Sequence, residues 1–183
     1  MTEPRALRAD ARRNRDAIVA AARSVFDQGE QLRFDDFAAR AGVGVGTLYR
    51  HFPTREALVA AVYEGEMATL SKGALESTRA PGENLNAFLR GFVDYVVVHA
   101  GLARSLAAVV DPAIQAEGGS ELEDTVAALL TRAADAGAIR NDVVPGAVMI
   151  VLHGIGSATD RPLWASESRA AVELLIAGLE ANA

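Results

Sequence analysis

Residues 34–56, FDDFAARAGVGVGTLYRHFPTRE, constrain the fold more than any other stretch of the chain. Phe37, Ala38 and Ala41 recur at the spacing of one helix face. Ala41-Gly42-Val43 then stops that helix, and Gly42 suits the left-handed conformation of a helix exit. Gly44 stands where a second helix starts, at a position that accepts glycine as an N-cap. Leu48 and Phe52, four apart, form the buried stripe of this second helix. Thr47, Tyr49, Arg50 and His51 occupy the faces left open. A short helix with one buried stripe, presenting hydroxyls, an arginine and an imidazole, suits a DNA major groove. A plain helical hairpin is the competing reading of the same pattern.

The remaining chain reads as helical throughout. Half of the residues are apolar and only 5% aromatic, so the core is aliphatic and alanine-rich. Alanine and leucine favour helix, and no stretch alternates like a half-buried strand. The expected class is all-α, with about nine helices. Residues 1–11 are expected to form a loose arm carrying Arg5 and Arg8, followed by a helix over 13–28 closed by Gly29. Arg12, Arg13 and Arg15 lie at the start of that helix, where cations oppose the macrodipole, so phosphate contact is a second explanation for them. Thr54 caps a long helix to about Ser77, and Arg79-Ala80-Pro81-Gly82 form a turn. Residues 84–110 hold one or two helices with a break at Gly101. Residues 111–119 read as a loop, and Ser120 with Glu123 as a capping box opening a helix that ends at Gly137. Pro145 opens a helix that is apolar nearly all round and ends at Arg161-Pro162. Ser166 caps the last helix, with Ala170, Leu174, Leu175 and Leu179 as its stripe.

Charge is unevenly spread. Residues 1–55 hold ten basic and seven acidic side chains; residues 56–183 hold eight and seventeen, within a total of −6. A basic front on an acidic body fits a nucleic-acid-facing end better than the net charge suggests. Cysteine is absent, which fits a reducing, cytoplasmic setting. No signal peptide or membrane span is expected. No catalytic constellation is visible: no phosphate loop follows a strand, and there is no nucleophile elbow and no HExxH. His51, His99 and His153 lie about fifty residues apart, a spacing that does not suggest zinc. Neither an enzyme nor a cofactor or metal is therefore expected.

The string AGVGVGTLYRHFPTREAL resembles the DNA-binding signature of the TetR family of bacterial transcriptional regulators, over roughly residues 12–65. The resemblance implies that Tyr49 and His51 contact phosphates, that Thr47 bonds a phosphate or base, and that Arg55 grips phosphate at the start of the next helix. Val45 and Gly46 open the reading helix. Val45 is a candidate for a thymine methyl and Arg50 for guanine. Three positions depart from the family pattern. Gly44 replaces a capping serine, Arg33 replaces the cap before the first helix of the pair, and Asp35 is an acid where some members carry a base-reading arginine. The expected organisation is a helix–turn–helix head over residues 1–54 and a body over 55–183 that binds a small molecule and dimerises. The resemblance implies a homodimer through the last two long helices, a palindromic operator in double-stranded DNA, and repression relieved by a ligand. A helical protein-interaction module without DNA binding is the alternative.

The candidate ligand wall joins Phe88, Phe92, Tyr95 and His99, three or four apart on one face, with Met67, Met149 and His153 from neighbouring helices. Such a wall is largely apolar with a few orienting polar groups. Ordinary core packing is the other reading of the same residues.

Overall fold

The computed structural model describes residues 3–28, 30, 32–102 and 112–180, without the side chains of residues 3–8 and 112–120. Among the described residues the chain folds into eight helices: α1 (Glu3–Asp27), α2 (Asp36–Arg40), α3 (Val45–His51), α4 (Arg55–Leu75), α5 (Pro81–Val98), α6 (Pro112–Asp135), α7 (Pro145–Ser157) and α8 (Trp164–Leu179). Their only β pairing is an isolated antiparallel bridge between Ile139 and Glu180. None of these helices is long and apolar enough to cross a membrane. The all-α expectation holds. The chain divides into two compact units, Met1–Tyr63 and Glu64–Ala183, with the division inside α4.

In the first unit α1, α2 and α3 pack on one another. Ile18, Ala22, Val25 and Phe26 of α1 close over Phe37 and Leu48, all buried. Phe26 and Phe37 lie with ring centroids 5.9 Å apart. α1 begins ten residues earlier than the periodicity suggests. Alanine, leucine and arginine favour helix, and Pro4 suits a first turn, so this backbone is helical rather than a loose arm. Arg12, Arg13 and Arg15 are therefore inside α1, away from its N-terminal dipole. Gly29 lies outside the described residues.

In the second unit α5 is the centre, packed against α6, α7 and α8. It starts at Pro81, with Ala80 as N-cap, so Pro81 and Gly82 form its first turn and not a separate loop. Proline is pre-set for that position. The break after α5 falls at His99, two residues before Gly101, and residues 100–102 are helical again. α6 starts at Pro112, so the expected loop at 111–119 is helical from 112 on, and Ser120 and Glu123 lie inside a helix rather than at its cap. Two glycines at 118–119 cost roughly 1 kcal/mol each relative to alanine, which a 24-residue helix absorbs. α6 ends as read: Gly137 has φ +68°. The Ala138 and Gly137 N–H groups return to the carbonyls of Ala133 and Ala134 at 2.9 and 2.8 Å, the paired bonds of a Schellman exit.

Helix ends in this unit are closed by side chains. Asn84 Nδ2, buried, donates to the Ala74 carbonyl at 2.9 Å, and Arg132 Nη1 donates to the Leu75 carbonyl at 3.1 Å. These bonds reach the last carbonyls of α4, of which that of Ala74 also accepts from the Ser77 N–H at 3.3 Å. The buried Trp164 indole donates to the Ile155 carbonyl at 2.7 Å, near the end of α7. α8 begins at Trp164, not at a Ser166 cap; the Ser166 hydroxyl instead donates to the Leu163 carbonyl. Its buried stripe is Trp164, Ser168, Val172, Ile176 and Leu179. Ala170 and Leu174, read from sequence as part of that stripe, are exposed, and Leu175 is half-buried. α8 has two apolar sides and periodicity alone did not choose between them. α7 ends at Ser157, before Arg161-Pro162.

Candidate nucleic-acid interface

The turn between α2 and α3 is built by local rules. Gly42 has φ +68°. The Val43 and Gly42 N–H groups return to the carbonyls of Ala38 and Ala39 at 2.9 and 3.2 Å. Gly44 then caps α3 in extended conformation, and the Thr47 N–H donates to its carbonyl at 2.8 Å. Leu48 is fully buried and Phe52 nearly so, which fixes the roll of α3 on the head. The rest of the helix surface is open to solvent: Val45 and Tyr49 are each 46% exposed. Gly46 and Arg50 are exposed, and Thr47 and His51 half-buried. Thr54 Oγ1 accepts from the Ala57 N–H at 3.2 Å, so Thr54 caps α4 as read.

The structure brings six of the nine DNA-contact candidates, Val45, Gly46, Thr47, Tyr49, Arg50 and His51, onto α3. Arg12 and Arg13 are exposed on α1, where Arg13 pairs with Asp10. Arg15, nearby, lies 5.4 Å from the centre of the Phe52 ring. Arg55, for which the resemblance implies a phosphate contact, has partners within the head. Its Nη1 donates to the Leu32 carbonyl at 2.6 Å, and its guanidinium lies 5.4 Å from the Phe37 ring centre and 5.9 Å from that of Phe26. Arg55 is thus engaged with the head itself, bonding the approach to α2 and covering two core aromatics.

Tyr49 also has a partner within the head. Its hydroxyl donates to Asp35 Oδ1 at 2.8 Å, and its ring stands edge-on to Phe34 with centroids 5.2 Å apart. The hydrogen bond to Asp35, then burial and the charge of Asp35, push the phenol above its ordinary value of 10.0. Tyr49 is therefore a neutral donor at physiological pH. Arg33 and Arg50 are exposed and form no ion pair among the described residues. Arg33 reads from sequence as a departure from a capping pattern and Asp35 as an acid where some family members carry a base-reading arginine; the contact of Asp35 with α3 depends on the turn folding it back onto Tyr49.

Of the ligand candidates, Met67, Phe88, Phe92 and Met149 are buried. Tyr95 and His99 are half-buried with ring centroids 4.4 Å apart. His153 is exposed on α7. α7, apolar nearly all round, shows one side to water in the single chain. Among the described residues no group of three or more acidic, histidine or cysteine side chains is placed to hold a metal.

Comparison with known proteins agrees with this architecture. Residues 18–62 match the family described as bacterial regulatory proteins, tetR family, and residues 80–181 match the one described as transcriptional regulator SbtR-like, C-terminal domain. An HTH-type transcriptional regulator of Staphylococcus aureus is 31% identical over 95 residues, which cover 48% of this chain and 50% of that protein. The chain thus spans about half the length of that curated relative. The crystal structure of a TetR transcriptional regulator from Streptomyces coelicolor is 37% identical, with TM-score 0.66, over 92% of this chain and 99% of that one. A TetR regulatory protein from Mycobacterium vanbaalenii is 32% identical, with TM-score 0.65, over 96% and 99%. With the helix–turn–helix and the helical body each matched in its own right, the chain belongs to the TetR family of bacterial transcriptional regulators.

Proposed function

We propose that this protein is a transcriptional repressor that binds a palindromic DNA operator as a homodimer and is released by a small, largely apolar molecule held in the unit from Glu64 onward. One observation carries the DNA reading. α3 is anchored by the fully buried Leu48 while Val45 and Tyr49 stand 46% exposed, and Arg50 is exposed and forms no ion pair among the described residues. A short helix so held offers a methyl-bearing face and a guanidinium to base edges: valine meets a thymine methyl, and arginine bonds guanine through O6 and N7. Arg12 and Arg33, exposed and without an ion pair among the described residues, supply phosphate contacts.

The dimer reading is supported by the outer side of α7 and α8. Ile150 is 74% and Leu174 76% exposed, with Gly154, Ala170, Ala177 and Gly178 also open. Small residues beside large apolar ones allow helices to approach closely and cover that surface. A two-fold contact would present two copies of α3 to half-sites one or a few helical turns apart. Ligand binding in the body would shift the population toward a spacing of heads that fits DNA less well, with α4, which contributes to both units, as the connecting element. Such coupling is reciprocal, so operator DNA must weaken ligand binding by the same factor.

Selection of bound sequences from random duplex DNA tests the reading and supplies the operator. An enriched pseudo-palindrome is expected, with log affinity falling linearly as log salt rises because phosphate contacts release counterions. No enriched sequence, or binding indifferent to salt, would reject it.

A further inference from the structure

The contact between Tyr49 and Asp35 joins α3 to the residue preceding α2, fourteen positions away. The Tyr49 ring, edge-on to Phe34, is held from a second side. Asp35 makes no side-chain cap bond to α2, so its carboxylate is not consumed by the helix it precedes. Both residues are exposed on the side of the head that the DNA reading turns toward the duplex.

A phosphate is a poor partner for this pair. The tyrosine hydroxyl has a single proton and gives it to Asp35, and the carboxylate beside it repels a second anion. The partner that suits a carboxylate in a major groove is a base-edge donor. Two base edges present one there, the N4 amine of cytosine and the N6 amine of adenine. Adenine sets its N7 acceptor beside that amine, facing the second carboxylate oxygen with a repulsive contact. Cytosine has no acceptor of its own on that edge. Guanine and thymine offer only acceptors there, and an acid rejects them.

We infer that Asp35, held in place by Tyr49 and Phe34, reads a cytosine in each operator half-site by accepting a hydrogen bond from its N4 amine. The inference rests on the DNA-binding reading and deepens it. It makes Asp35 a specificity-determining residue and Tyr49 its positioning partner, in place of the phosphate contact that the family resemblance implies for Tyr49.

The test selects sequences from random duplex DNA with the full-length wild type, Asp35→Ala, Asp35→Asn and Tyr49→Phe, then measures affinities for all four bases at the affected position. The wild type should prefer cytosine at one position of each half-site. Asp35→Ala should relax that preference by about fivefold or more and leave the other positions unchanged. Asp35→Asn should move it toward adenine, whose N6 and N7 an amide satisfies together. Tyr49→Phe, which keeps the ring against Phe34, should weaken the same preference by a smaller factor. N4-methylcytosine at that position should weaken the wild type but not Asp35→Ala. The inference is overturned by identical preferences in wild type and Asp35→Ala, or by methylation weakening both alike. Even weakening of every sequence by Tyr49→Phe, with a lower salt slope, would restore the phosphate role and also overturn it. A wild type that enriches no sequence rejects the DNA reading itself, and the wild-type arm alone separates that result from the others.

Discussion

Arg55→Ala separates two roles that the same residue could play. In the structure Arg55 Nη1 donates to the Leu32 carbonyl at 2.6 Å while its guanidinium lies within 6 Å of the ring centres of Phe37 and Phe26. A hydrogen bond from a charged donor contributes about 1.5–3 kcal/mol. Each cation–π contact adds roughly 0.5–1 kcal/mol where solvent still reaches it. Arg55 is half-buried, so water would partly replace the lost bond, and the low ends of these ranges apply. Truncation should therefore destabilise the head by about 2–3 kcal/mol. Hydrogen exchange followed by mass spectrometry on the full chain reads this directly. At one factor of ten per 1.4 kcal/mol, amides of the segment 32–52 that open with the head should exchange roughly 30- to 150-fold faster. Arg55→Lys keeps the charge but not the planar fork, and should recover less than half of the protection. If Arg55 acted only as a phosphate ligand, head exchange would stay at its wild-type rate while the salt slope of DNA binding fell by about one. That outcome would refute the structural role argued from these distances.

Three further outcomes are expected. Gly42→Ala places a side chain at φ +68° with nothing within 4 Å of the new Cβ, so only backbone strain opposes it. The cost should be about 1–2 kcal/mol, read as faster head exchange, and an unchanged rate would contradict the left-handed turn. Leu174→Arg, at a position 76% exposed in the single chain, should leave the fold intact and shift sedimentation from dimer to monomer; an unchanged dimer would place the interface elsewhere. Glu173 is held below its ordinary 4.5 by the two hydrogen bonds from Arg90. Because its native value is the lower one, its contribution to stability is complete above 4.5 and is lost as the pH falls through the native value. Glu173→Gln should flatten the acid limb of a denaturation series, and an acid limb of unchanged slope would show the pair contributes nothing.

The elements legible in the sequence were those fixed within a turn or two of chain. Gly42 after Ala41, Leu48 four before Phe52, Thr54 ahead of Ala57 and Gly137 after α6 are local geometry, and each stands as read. What escaped depends on partners distant in sequence or on choices that local rules leave equal. The Ser120-x-x-Glu123 pattern is a cap only where a helix must start, and nothing stopped α6 from starting at Pro112. α8 carries apolar residues on two sides, and which side is covered follows from its packing on α5 and α7. Arg55 reads as a cation at a helix start, and its bond to the Leu32 carbonyl and its place over Phe37 and Phe26 depend on chain 18 to 29 residues away. Asp35 reads as a misplaced acid until the glycine turn brings Tyr49 to it.

Gly42 and Gly137 share φ +68°, and in neither place would a methyl group touch a neighbour. The demand at both turns is one of handedness alone, with room to spare. A D-amino acid has the mirror-image preference, so D-alanine introduced there by chemical ligation should be accepted where L-alanine is strained. It would also narrow the choices open to the unfolded chain, a gain of roughly 0.4–1 kcal/mol at each site. The two helix exits, one before α3 and one after α6, are thus places where reversed chirality should strengthen the protein.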